Sequence, residues 1–169
     1  FGHTGWSINK AGTMILGASY EQDPSEWDKM IDVNIKGVLN GIHAVLPDMV
    51  KRKDGTIINL GSISSHKTFI NHSVYCGTKF AVHAITETIR QEAAPHNVRI
   101  IMISPGAVET EILSHTTSES IKKNYNDWKQ KTGGALSPED VAQSILFAYQ
   151  QPQAVCMREI ILASTQHQG

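Results

Sequence analysis

The sequence predicts an α/β fold: one domain in which a parallel sheet is covered by helices on both faces. Three observations carry this. Short β-branched runs alternate along the chain with longer stretches whose apolar residues recur every three to four positions. Those longer stretches have the length of the helical crossovers that parallel strands require. The 169 residues are of single-domain size and contain no internal repeat, low-complexity tract or linker.

Each element has its own signal. Trp6-Ser7-Ile8 is a weak strand, cut short by Asn9-Lys10-Ala11-Gly12. Asp23-Pro24-Ser25-Glu26 opens a helix, with Asp at the N-cap, Pro at the first helical position and Glu three residues after the cap. Trp27, Met30, Ile31, Val38 and Ile42 form its apolar stripe, and Lys51-Arg52-Lys53 before Asp54-Gly55 closes it with a cationic last turn. Thr56-Ile57-Ile58-Asn59-Leu60 is a buried strand. A polar loop leads to a second helix from about Ser73 to Ala94, stopped by Pro95. Val98 to Ile103 forms the next strand, ending at Pro105-Gly106, and 107–135 reads as irregular to helical. Ser137-Pro138-Glu139-Asp140 caps a helix to about Gln150, and Glu159-Ile160-Ile161-Leu162 is a last short strand.

Composition narrows the function. Fifteen Lys and Arg against sixteen Asp and Glu leave a net charge of −1, so no overall field draws nucleic acid or anionic lipid. No apolar run reaches the roughly eighteen residues of a membrane span. Two cysteines, Cys76 and Cys156, are too few for a disulfide scaffold and fit a reducing cytoplasm. No two of the eight histidines lie three to five residues apart, so local spacing gives no metal site. The chain opens at Phe1 in the middle of an element, and the expectation is a piece of a longer protein.

Ligands of open parallel sheets bind beyond the carboxyl ends of the strands, which directs attention to Asn9–Gly12, Gly61–Ser65 and Ser104–Thr110. Tyr75 and Lys79 are four apart at the start of the second helix and share a face. An ammonium beside a phenol favours the phenolate, so Lys79 is expected to lower the Tyr75 pKa. Tyr125 and Lys129 repeat the spacing, but what precedes them differs. Ser62 stands thirteen residues before Tyr75 at a strand exit, whereas Ile112 stands thirteen before Tyr125, which reads as an ordinary surface pair. Asn34 falls on an apolar stripe, where a buried Asn bonded to a neighbouring backbone group is the plain structural reading. His66, His72, His83 and His96 read as polar surface or loop residues, and Ile112, Leu113, Tyr125 and Trp128 as either helix packing or a substrate lid.

Together, Asn9-Lys10-Ala11-Gly12, Asn34, Ser62, Tyr75-x-x-x-Lys79 and Pro105-Gly106-Ala107-Val108-Glu109-Thr110 resemble the short-chain dehydrogenase/reductase family, single-domain branch, from Asn9 to about Ala163. Lys10 departs from the usual Asn-Asn-Ala-Gly. The resemblance implies a Rossmann-like doubly wound sheet in three α/β/α layers. The N-terminal strands and Gly-x-x-x-Gly-x-Gly loop are missing from this chain, so residues 1–169 correspond to the C-terminal two-thirds of that fold. It implies hydride transfer between NAD or NADP (NADP slightly favoured) and a small-molecule alcohol or carbonyl. Tyr75 would be the acid/base, Ser62 would orient the substrate oxygen, and Lys79 would bind the ribose and tune Tyr75. Asn34 would hold a relay water, and Asn9, Ala11, Gly12, Pro105, Gly106, Val108 and Thr110 would contact the dinucleotide. A homodimer or homotetramer is implied as well. Without the glycine-rich loop, these 169 residues alone are expected to bind dinucleotide weakly. Two alternatives stay open: an epimerase or dehydratase of the extended branch, against which only about sixty residues after Thr110 speak, and a non-catalytic dinucleotide-sensing or scaffold protein.

Overall fold

The connections decide the sheet. In the computed structural model, which describes residues 4–167, every link between strands carries at least one helix, and all the strands run in parallel. The strands β1 (Trp6–Asn9), β2 (Gly55–Leu60), β3 (Val98–Pro105) and β4 (Glu159–Leu162) lie side by side in chain order. Their register sets Ile8 beside Ile58, Ile57 beside Ile100 and Ile103 beside Ile160.

Alternation along the strands divides the core between the two faces. On one face Ile57 and Ile100 pack with Val38, Ile42 and Met49 of α2 (Gly37–Arg52) and Val82 of α3 (Ser73–Ala93). On the other, Ile58, Ile101 and Ile103 pack with Val141 and Ala148 of α5 (Pro138–Gln150). The layers are therefore helix, sheet, helix. All eight residues of β3 are buried, which suits a strand covered on both faces and carrying Val98, Ile100, Ile101 and Ile103. Each fully buried Ile contributes about 1.5–3 kcal/mol to folding.

The helix expected from Asp23 to Lys53 is α1 (Pro24–Ile31), a π turn at Asp32–Lys36 and α2, one after another. Asp23 caps α1 by accepting the Ser25 N–H at 2.8 Å. Lys53 turns left-handed at φ 57°, and Gly55 follows at φ 150°, where a Cβ would lie 2.6 Å from the Met49 sulfur. Glycine is thus required where the helix hands over to β2. The stretch 107–135 resolves into a 3₁₀ turn at Glu111–His115 and α4 (Glu119–Lys131).

One buried segment carries no regular structure. Thr13, Met14, Ile15 and Leu16 are all buried and irregular, so side chains must satisfy their backbone groups. Asn34 accepts the Thr13 N–H at 2.8 Å and donates to its carbonyl at 2.9 Å. The Leu16 N–H donates to Thr116 Oγ1 at 3.0 Å, and Gln22 donates to the Ile15 carbonyl at 2.8 Å. Among the described residues no helix is long and apolar enough to cross a membrane.

Candidate active site

A cavity of about 970 Å³ opens beyond the carboxyl ends of β1, β2 and β3. Ala11, Gly12, Ser62, Tyr75 and Lys79 line it, together with Pro105, Gly106, Val108 and Thr110. Segments far apart in sequence thus converge on one space, and the strand ends explain why.

The backbone fixes Ser62. It sits extended at the exit of β2 and caps the 3₁₀ turn Ile63–Ser65, its Oγ accepting the Ser64 N–H at 3.1 Å while its own N–H donates to Ser65 Oγ at 3.2 Å. Its side chain is also close enough to the Tyr75 hydroxyl to favour the ionised phenol. Tyr75 and Lys79 project from the first turns of α3, with the Lys79 nitrogen 5.8 Å from the Tyr75 ring centre. Lys79 donates to the Leu60 carbonyl at 3.0 Å.

The electrostatics differ from the sequence expectation. Burial pushes the Tyr75 hydroxyl well above its usual value, against the smaller opposing effect of the Ser62 side chain. Burial likewise pulls the Lys79 ammonium down to about 8. The net shift of Tyr75 is upward rather than the downward one expected, because desolvation of the phenol dominates. Tyr75 consequently keeps its proton through neutral pH.

Two expected site residues lie behind the cleft rather than on it. Asn34, 1% exposed, spends its amide on Thr13 and on Thr78 Oγ1 at 3.0 Å, which makes it the structural Asn of the plain reading. Its side chain locks the 13–16 segment to α3. Asn9 donates to Asn59 Oδ1 at 2.8 Å, and Asn59 in turn donates to Thr86 of α3 at 3.0 Å. A Cβ on Gly41 of α2 would come within 2.0 Å of Asn9 Oδ1, which places the Asn9 side chain against the helices.

The cleft also contains residues that sequence reasoning set aside. Tyr125 is half-buried on the cavity wall, so its reading as a surface residue is corrected; Lys129, by contrast, pairs outward with Glu109 at 3.0 Å. His72, read as a surface or loop residue, also lines the cavity, with its ring centre 6.3 Å from those of Tyr75 and Tyr125. Its Nδ1 lies 2.7 Å from the Ile70 carbonyl and must carry a proton to bond there; burial pulls its pKa down. Phe69 and Trp128, 6.4 Å apart, extend this aromatic wall. Tyr125 and Trp128, three apart on α4, were a legible pair; Phe69 and His72 had no signal, because an irregular loop has no period.

Comparison with known proteins decides the family. Residues 3–121 match the family model for short chain dehydrogenase. The chain belongs to the short-chain dehydrogenase family. An uncharacterized oxidoreductase of Staphylococcus saprophyticus is 43% identical over 164 residues, covering 96% of this chain and 65% of that protein. Another from Staphylococcus aureus is 38% identical over 160 residues, covering 95% of this chain and 64% of its own length. Among solved structures, the closed form of a serine dehydrogenase complexed with NADP+ superposes with a TM-score of 0.82 at 28% identity, covering 93% of this chain and 63% of that one. A gluconate 5-dehydrogenase from Burkholderia cenocepacia, at 22% identity and TM-score 0.83 over 98% of this chain and 65% of that one, shares the fold. The chain spans about two-thirds of the length of these short-chain dehydrogenases.

Proposed function

We propose that the protein containing this chain transfers hydride between NAD(P)(H) and a small alcohol or carbonyl compound, with Tyr75 as acid/base. The observation that carries the reading is the buried Tyr75, lining one cleft with Ser62 and one helical turn from a buried Lys79 at the mouth of three parallel strands.

The residues present fit a dinucleotide. Lys79 uses one of its three N–H donors on Leu60, leaving two for the hydroxyls of a ribose. Ala11, Gly12, Pro105, Gly106, Val108 and Thr110 line the same cleft and would hold the cofactor. When bound, it supplies or accepts the hydride. NADP is the first to test, supported by the NADP+ complex of the serine dehydrogenase.

The chain's own residues do the rest. Ser62 orients the substrate oxygen at the Tyr75 hydroxyl. Tyr75 donates its proton to that oxygen as the carbonyl carbon is reduced; in oxidation the proton returns. Because burial holds the proton on Tyr75, the residue is set to act as the acid of carbonyl reduction at neutral pH. The reading includes self-association, supported by Leu39 of α2 and Phe80 of α3, which stand 41% and 42% exposed on neighbouring helices.

Tyr75→Phe in the intact protein tests the assignment, since Phe keeps the packing and removes only the hydroxyl. Turnover of NADPH with a panel of carbonyl compounds should fall at least about 100-fold, with dinucleotide affinity nearly unchanged. A variant that keeps more than about a tenth of the wild-type rate overturns the role of Tyr75.

A further inference from the structure

Away from the cleft, three side chains from three elements converge. His66 follows the 3₁₀ turn after β2, His83 lies on α3 one turn past Lys79, and Glu159 opens β4. One nitrogen or oxygen from each lies within 4.8 Å of the others. His66 Nε2 is 2.7 Å from Glu159 Oε1, and the His66 and His83 rings meet edge to face at 4.6 Å. We propose that His66, His83 and Glu159 form a zinc site that ties the Ser62 loop to α3 and β4.

The donor set selects the metal. Two imidazoles and one carboxylate match the borderline preference of Zn²⁺, whereas Mg²⁺ and Ca²⁺ want oxygen ligands throughout. Zinc bonds of about 2.0–2.2 Å in a tetrahedron put ligand atoms about 3.3–3.6 Å apart. To reach that spacing the 2.7 Å His66–Glu159 contact opens slightly and His83 closes in from within 4.8 Å. The His66 side chain is 30% exposed, so a water can take the fourth position.

A supporting shell is already built. Ser104, fully buried on β3, donates its hydroxyl to Glu159 Oε1 at 2.6 Å and so orients the carboxylate. A simple His66–Glu159 hydrogen bond accounts for those two residues but not for the approach of His83. Local spacing missed the cluster because its members lie on three separate elements. Bound zinc would brace the loop that positions Ser62 without touching the cleft, so the proposal does not depend on the reaction assigned above.

The test is binding, not turnover. The intact protein, stripped with a chelator, is titrated with ZnCl₂ by calorimetry and with Co²⁺ by visible absorption. The expected results are one Zn²⁺ per chain, tetrahedral Co²⁺ bands, a raised Tm with Zn²⁺ and none with Mg²⁺. His66→Gln and His83→Gln should each weaken Zn²⁺ at least about 100-fold, and Ser104→Ala about 10-fold. His96→Gln, on a turn elsewhere, should bind as wild type. Failure of wild type to take up one Zn²⁺, an octahedral Co²⁺ spectrum, or wild-type affinity in both histidine variants overturns the site. Should a variant misfold, the wild-type stoichiometry and Co²⁺ spectrum still decide.

Discussion

Lys79 is a cation held almost entirely out of water, with one hydrogen bond, to the Leu60 carbonyl, and no carboxylate paired with it among the described residues. Its folded-state pKa of about 8 lies below the ordinary 10.5, so between those values the unfolded chain binds more protons than the native one. Stability therefore rises with pH across that window; below pH 8 the whole penalty applies, about 3 kcal/mol from the gap between about 8 and 10.5. Lys79→Met should accordingly be more stable than wild type at pH 7, with the difference shrinking by about 2–3 kcal/mol by pH 10. Urea midpoints at pH 7, 8, 9 and 10 measure this. Comparing the two proteins cancels groups away from the substitution, including Cys156, whose burial raises its pKa. A pH-independent difference would mean that Lys79 is not desolvated as its surroundings imply. The Tyr75–Lys79 pair was legible from spacing and from Ser62 upstream. The sign of its electrostatics was not, because spacing puts two groups on one face without saying how much water reaches them.

At the scale of elements, Arg99 shows how one residue joins strand to helix. It is buried on β3, donating to Thr56 Oγ1 at 3.0 Å and to the carbonyls of Tyr149 and Gln151 at 2.9 and 2.8 Å. Those carbonyls end α5, where the helix dipole is negative and no intrahelical donors remain. Arg99→Met strands them and should cost about 2–4 kcal/mol, since charge-assisted bonds and unmet buried acceptors each count for 1–3. Arg99→Lys should recover less than half of that, as an ammonium cannot span three acceptors with one planar fork. Chemical denaturation measures both, and a loss under about 1 kcal/mol for the Met variant would show that water replaces the guanidinium freely. The same scale explains what the sequence did and did not reveal. Caps at Asp23 and Ser137 and the run at Val98–Ile103 placed elements correctly because each signal is local. The buried 13–16 segment was illegible, since its backbone partners include Asn34 and Thr116, far along the chain. The π turn at Asp32–Lys36 likewise has no periodic signature in an otherwise regular stripe.

Across the whole molecule, burial is unevenly shared, and the uneven part covers the cleft. β3 buries every residue and α3 buries seven, whereas no residue of α4 is fully buried. Ile121 and Tyr125 hold α4 on Met14, Leu16 and Tyr75 through half-buried contacts, and Lys129–Glu109 adds an ion pair whose acidic side is largely exposed. Such pairs contribute about 0–1 kcal/mol, so little resists the opening of this helix on its own. Amide hydrogen exchange of the intact protein should therefore show α4 opening at least about 100-fold more readily than β3, a local cost lower by about 2.7 kcal/mol or more. Dinucleotide together with a bound carbonyl analogue should slow exchange in α4, because Tyr125 and Trp128 would gain a partner on the cavity wall. Equal protection of α4 and β3 in the free protein would show that the half-buried contacts hold as firmly as the core. The aromatic wall would then be a rigid boundary of the cleft rather than a part that yields to admit substrate.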